Sequence, residues 1–169
     1  MYNKGYDMES KKGEDNMRRS DREITDKKEL IEIIKKCDVC RIVLNDEGYP
    51  YIIPLNFGMD IQDEQIVFYF HGASEGRKYD LIRKDNRASF EMDCSHQLVM
   101  DDKKMSCTMN YESVIGRGHI EIVSEEEKMK GLKILMKHYH QEDFQFGTAI
   151  VPRTNVFKLI VEDMTAKRR

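Results

Sequence analysis

Read from the first residue, the chain stays polar until about Met17, with Gly, Lys, Asp, Glu and Ser interleaved and little to bury. Residues 1–16 therefore read as a flexible extension and 17–169 as one folded domain. The first apolar stripe is Leu30, Ile33 and Ile34, at helical spacing. Asp26 stands at the capping position and Glu29 three residues on, which predicts a helix start. Short apolar runs follow. Val39–Leu44 is rich in branched side chains, the turn Asn45–Gly48 leads into Tyr51–Phe57, and a polar turn over Asp60–Glu64 leads into Gln65–Phe70. Connections of hairpin size predict antiparallel pairing.

A second helix is predicted from Ser74 or Glu75 to Lys84, with Tyr79, Leu81 and Ile82 as its apolar positions. Strands are expected again over Arg87–Met92, Tyr111–Ile115 and His119–Val123. Gly116 and Gly118 suit a bulge or bend between the last two. Ser124 with Glu127 marks a third helix start, and Met129, Leu132, Leu135 and Met136 repeat behind it. Asn155–Val161 is the last strand. Six or seven strands with three helices between strand groups imply an α+β barrel, not a doubly wound parallel sheet.

Composition narrows the partner class. The 169 residues are 40% hydrophobic and 35% charged, with a net charge of -3. A nucleic-acid partner normally calls for a basic face, and this balance argues against one. No apolar run is long enough for a membrane helix, and the polar first twenty residues are unlike a secretory signal, so a cytoplasmic location with reduced cysteines is expected. Eleven Met and no Trp suggest adaptable thioether packing.

Several motifs can be weighed on residue types alone. Cys37 and Cys40 have the spacing of a redox pair or half a zinc site, but a structural zinc needs two further ligands. Cys94, His96 and Cys107 are only nominal candidates, and no second CxxC occurs. Buried or half-buried free cysteines, and no metal, are the better reading. Gly116-Arg117-Gly118 opens no helix and belongs to no βαβ unit, so it is not a dinucleotide loop. His138-Tyr139-His140 reads as a surface helix end, where the dipole favours imidazole. The most informative stretch is Val67–Ile82. Here an apolar strand ends in His71-Gly72-Ala73-Ser74 and passes into a helix whose first turn carries Arg77 and Lys78. Exposed helix amides and cationic side chains favour the same anion, although a plain strand-to-helix connection with solvated cations fits these residue types as well.

Taken in order, Met17-Arg18-Arg19, the run Gly48–Gly58, the turn from His71 to Lys78, Tyr111–Val114 with its following glycines, and Lys167-Arg168 resemble the pyridoxamine 5′-phosphate oxidase-like split barrels, closest to their nitroimidazole-resistance branch. The resemblance implies an α+β, mainly β fold, a six-stranded antiparallel split β-barrel with flanking helices. It also implies an FMN site between the two subunits of a homodimer. Arg77 and Lys78 would hold the phosphate, with His71, Gly72 and Ala73 lining the turn. Ser113, beside Val114, would supply a hydroxyl. Ile53, Pro54, Leu55 and Asn56 would run under the isoalloxazine ring, and Lys167 would place positive charge beside it.

On that resemblance the expected activity is NAD(P)H-dependent reduction of small electrophiles such as nitro-aromatic compounds, with His71 as the candidate proton donor. The alternative is a non-catalytic flavin- or haem-binding barrel, since His71, His96, His119, His138 and His140 leave haem ligation open. Two departures bear on the activity. The chain has no Trp, and Lys167 stands where the oxidases carry arginine, which argues against pyridoxamine phosphate as substrate. One extra residue separates the strand from the basic pair, so the phosphate turn is expected to differ in detail.

Overall fold

A computed structural model describes residues 19–169; the extension assigned to 1–16 lies outside them. After a short 3-10 turn, Ser20–Arg22, the elements are β1 (Glu23–Ile24), α1 (Lys27–Lys36), β2 (Cys40–Leu44), β3 (Tyr51–Leu55), β4 (Gly58–Gln62), β5 (Gln65–Ala73), α2 (Arg77–Lys84), β6 (Arg87–Asp101), β7 (Ser106–Ile122), α3 (Glu125–His138) and β8 (Thr154–Arg168). Both expected caps form. The Asp26 side chain accepts from the Glu29 amide at 2.9 Å, and Ser124 Oγ accepts from Glu127 at 3.3 Å. Helix α2 begins at Arg77, later than the sequence suggested. Gly76 takes φ 128°, a conformation that L side chains avoid, and so holds the turn open for three further residues.

The strands form one antiparallel sheet in the order β3-β2-β6-β7-β8-β5-β4, with β1 added along β8. Its two edges, β3 and β4, are consecutive in sequence and joined only by Asn56 and Phe57. Two residues cannot cross a flat seven-stranded sheet, so the sheet must curl until its edges meet at that corner. The run Tyr51–Phe57, read as a single strand, is broken there because the chain changes from one edge to the other. Conversely, the strands expected at Tyr111–Ile115 and His119–Val123 are one strand, β7. Gly116 and Gly118 do not end it; they flank the shift at which Glu162 of β8 becomes the extra residue of a bulge. A side chain at Gly116 would enter the Phe90 ring and one at Gly118 the Ile160 carbonyl.

Side chains alternate across the curl. The inner face carries Ile42, Leu44, Phe68, Phe70, Phe90, Met92, Val114, Phe157 and Leu159, and α1 plugs it with Leu30, Ile33 and Ile34. Phe68 meets Phe57 and Phe90 edge-on at 5.6 and 5.2 Å between centroids. Helix α3 covers the other face of β5 and β8, where Leu132 packs with Val67, Tyr69 and Val156. The end of α3 is not the free surface terminus that its histidines suggested. His138 Nε2 lies 2.8 Å from the Cys37 carbonyl oxygen, and the Tyr139 hydroxyl donates to the Asp38 carbonyl at 2.7 Å. The same hydroxyl accepts from the Phe57 amide. These contacts clasp the barrel corner. Cys37 and Cys40 are buried, Cys94 is half-buried, Cys107 is exposed, and all four are free thiols. Among the described residues no helix is long and apolar enough to cross a membrane.

Candidate functional site

The bend from β5 into α2 is built around Gly72. A Cβ there would lie 3.0 Å from Lys78 Nζ and 3.5 Å from the Tyr79 hydroxyl. Glycine therefore lets the Lys78 ammonium and the Tyr79 phenol pack close against the β5 backbone, where a side chain would push them away. Lys78 Nζ sits 4.6 Å from the centre of the Tyr79 ring, an attraction that folds the cation back over the bend. The Tyr79 hydroxyl is fully buried and has no hydrogen-bond partner among the described residues. Burial pushes the phenol's pKa up; the Asn155 side chain lies near enough to oppose that shift but makes no well-formed hydrogen bond to the hydroxyl. The Asn155 amide itself donates to the Ser74 carbonyl at 3.1 Å. An unpartnered phenol and a cation thus lie side by side at the bend that opens α2, a donor pair that an anion could engage.

Arg77 is placed differently from Lys78. Its guanidinium pairs with Asp46 on the β2–β3 turn and lies 5.7 Å above the Tyr51 ring. It ties α2 to β3, and any anion at the bend would have to compete with Asp46 for it. His71 and Gly72 are neighbours in sequence but face opposite ways. Gly72 opens toward Lys78, whereas His71 lines an apolar cavity of about 230 Å³ with Leu132, Met136, Phe144, Ile150 and Thr154. His71 is still exposed to solvent, but partial desolvation, with the Lys78 charge adding to it, lowers its pKa from the ordinary imidazole value. Ala73 ends β5 opposite Thr154.

The remaining residues of the expected site lie elsewhere. Ser113 and Lys167 are direct partners on β7 and β8 and share the outer face of the sheet. Val114, between Ser113 and the bulge, is buried in the core, so only its backbone is available to a ligand. On edge strand β3, Pro54 pairs with Arg41 and Ile53 with Ile42. Pro54 points outward, and Ile53 and Leu55 are half-buried on the core side. The Asn56 side chain is committed to the corner clasp, donating to the Asp38 carbonyl and to the Tyr139 hydroxyl, each at 3.1 Å.

One copy does not bring Lys78 and Lys167 together. Thr154, at the start of β8, pairs with Ala73, while Lys167 lies at the other end of the same strand. Thirteen residues at ~3.3 Å each make roughly 43 Å of strand contour between them.

Glu112 fixes the Ser113–Lys167 end. Its carboxylate accepts from Arg168 Nε at 2.6 Å, from Lys36 Nζ at 2.8 Å and from Ser95 Oγ at 2.8 Å. Burial pushes its pKa up, but the three donors outweigh burial and hold it at about 2. The partners of Glu112 and the orphaned Tyr79 were not legible as site residues in the sequence. For Tyr79 the available signal was its place directly after the basic pair on the apolar stripe.

The sequence profile described as Pyridoxamine 5′-phosphate oxidase matches residues 26–168. The chain belongs to that family. Among solved structures, a proposed 5-nitroimidazole antibiotic resistance protein from Bacteroides thetaiotaomicron is 33% identical. The match covers 86% of each chain, with a TM-score of 0.75. Two others share the family fold at low identity. The flavocytochrome Anf3 from Azotobacter vinelandii is 18% identical over 91% of this chain and 72% of its own, TM-score 0.73. An FAD and heme binding protein from Mycobacterium smegmatis is 14% identical over 87% and 73%, TM-score 0.73. No curated protein matches the chain.

Proposed function

We propose that the protein binds FMN between two copies of the chain and reduces small electrophiles, nitro-aromatic compounds among them, with NAD(P)H as donor. The observation that carries this reading is the Gly72 bend, where the Lys78 ammonium and the unpartnered Tyr79 hydroxyl lie together and suit a phosphate monoester. When bound, the flavin supplies hydride transfer between a nicotinamide and the electrophile.

The residues of this chain bind and orient. Lys78 neutralises phosphate charge, and Tyr79 donates its buried hydroxyl. Ser113 and Lys167 of the partner copy supply a hydroxyl and a cation, because within one copy they lie at the far end of β8. The positive charge of that lysine favours an anionic, electron-rich ring. His71 faces away from the Gly72 bend into its apolar cavity, where it serves as the proton donor through a ring nitrogen. Its pKa lies below the ordinary imidazole value. The proton-donating form therefore becomes more abundant as the pH falls, and turnover that depends on His71 rises in mildly acidic buffer.

The test is spectroscopic. Freshly purified protein should carry near-ultraviolet and blue absorption bands, bleach on addition of NADH or NADPH and recover with a nitro compound. His71→Ala should keep the bands and lose the recovery. A Soret band in place of flavin bands would mean haem and would refute the reading.

A further inference from the structure

Beyond the residues bonded to β2 and β8, strands β6 and β7 continue as a free two-stranded ribbon. Gln97–Asp101 pairs with Ser106–Asn110 and, among the described residues, with nothing else. The ribbon branches off at a bulge where Ser95 takes φ 59°. Its two faces differ sharply. One carries Leu98, Met100, Cys107 and Met109, in which Leu98 pairs with Met109 and Met100 with Cys107. The other carries Gln97, Asp101, Ser106, Thr108 and Asn110, interrupted only by Val99. The apolar side chains are bare: Leu98 is 58% exposed, Met100 64% and Met109 46%. A two-stranded ribbon is at best marginally stable in water, and an unpartnered apolar face makes it less so.

Parity along β7 assigns that face. Cys107, Met109, Tyr111, Ser113 and Ile115 alternate with the core residues Glu112 and Val114, so the ribbon's apolar face continues the outer face that bears Ser113 and Lys167. The ribbon leaves the sheet beyond the Glu112–Arg168 pair. Another bare apolar pair, Phe144 and Ile150, lines the His71 cavity by Thr154, which pairs with Ala73 at the opposite end of β8. Within one copy the two patches cannot meet. A twofold axis crossing the strands between two outer faces reverses one copy on the other and sets each patch over its counterpart. At ~3.3 Å per residue, the five residue pairs reach roughly 16 Å past the sheet.

We propose that the ribbon is an arm that docks its apolar face on a second copy of this chain, over the His71 cavity, so that Leu98, Met100 and Met109 of each copy roof the cavity of the other. The inference rests on the dimeric reading above and extends it. The substrate pocket beside His71 becomes an apolar, methionine-roofed chamber suited to a small flat aromatic, and it is incomplete in a single copy.

The test uses the full chain. Sedimentation equilibrium should give a dimer, with the dissociation constant raised at least 100-fold in Leu98→Asp/Met100→Asp and at least 10-fold in Ile150→Asp. Combining all three changes should weaken association no further than the stronger variant, because arm and acceptor form one contact. A wild-type-like Ile150→Asp dimer would overturn the acceptor; a wild-type-like Leu98→Asp/Met100→Asp dimer would overturn the arm.

Alkylation of Cys107 by iodoacetamide, mapped by mass spectrometry, gives a readout independent of whether the variants fold. Protection of at least 10-fold that disappears on dilution to monomer supports the arm. Free reaction in the dimer overturns it, and so does protection that persists in the monomer, which would mean that another segment of the same chain covers the face. FMN absorption of the wild type separates the two readings. A flavin-loaded dimer with freely reacting Cys107 refutes the arm alone, and a flavin-free dimer with protected Cys107 refutes the cofactor reading alone.

Discussion

Glu112→Gln tests how the far half of the site is held. Glu112 is 5% exposed and accepts three hydrogen bonds, from α1, from the ribbon base and from the end of β8. Its pKa falls from the ordinary 4.5 to about 2 on folding. A drop of that size corresponds to about 3 kcal/mol of stability at neutral pH, at 1.36 kcal/mol per unit. Solvent reaching Lys36 and Arg168, which are 50% and 40% exposed, reduces this to about 2 kcal/mol. Because the folded value lies below the unfolded one, this stability is present above pH 4.5 and is lost as the pH falls from there toward 2.

Glutamine removes the charge and turns an amide donor toward two cations, leaving Lys36 unpaired and Arg168 with Glu29 alone. Urea unfolding followed by circular dichroism should therefore show Glu112→Gln about 2 kcal/mol less stable at pH 7, with more than half of the gap gone at pH 3. A variant within about 0.5 kcal/mol of wild type at pH 7, or a gap that does not change with pH, would refute the assignment of this network as a buried charge clamp.

Other consequences follow from the same geometry. Lys78→Ala should leave the melting temperature unchanged and weaken FMN binding 10- to 100-fold, the worth of about 1.5–3 kcal/mol for a charge-assisted hydrogen bond, read by flavin fluorescence quenching. Gly72→Ala places a methyl group 3.0 Å from Lys78 Nζ, at the end of a flexible side chain, so the fold should persist while FMN affinity drops. Tyr79→Phe removes a buried unpartnered hydroxyl; the flavin-free protein should become about 1 kcal/mol more stable in thermal melts, and FMN binding should weaken. Phe68→Ala, in the centre of the aromatic core, should cost about 3–5 kcal/mol by urea melt, with no special effect on flavin beyond unfolding.

What the sequence revealed, and what it hid, has a physical pattern. The caps at Asp26 and Ser124 were legible because a capping side chain and its amide lie within three residues. The strand-to-helix bend was legible for the same reason, and it holds the best-formed part of the candidate site. Long-range features were not. That Tyr51–Phe57 splits between two sheet edges is decided by barrel closure, to which no local signal points. Arg77 reads like Lys78 in sequence, yet Asp46, thirty-one residues away, claims it. His71 and Gly72 read as one turn lining, but strand alternation sends them to opposite faces. The ribbon was missed because Gln97–Asp101 and Ser106–Asn110 lie outside the strands expected from Arg87–Met92 and Tyr111–Ile115. His138 and Tyr139 looked like a solvated helix end because their partners, Cys37 and Asp38, sit a hundred residues earlier.

The central claim is that the Gly72 bend holds a flavin phosphate while the partner's Ser113–Lys167 pair flanks the same flavin. Equilibrium titration of flavin-free protein with FMN, followed by fluorescence quenching in wild type, Lys78→Ala and Lys167→Ala, tests it most directly. The account predicts one FMN per chain, at least 10-fold weaker binding in either variant, and near-wild-type affinity in a mixed dimer at the one site whose Lys78 and partner Lys167 are both intact. Binding of FMN by wild type and both variants with the same affinity, or no binding by wild type, would contradict it.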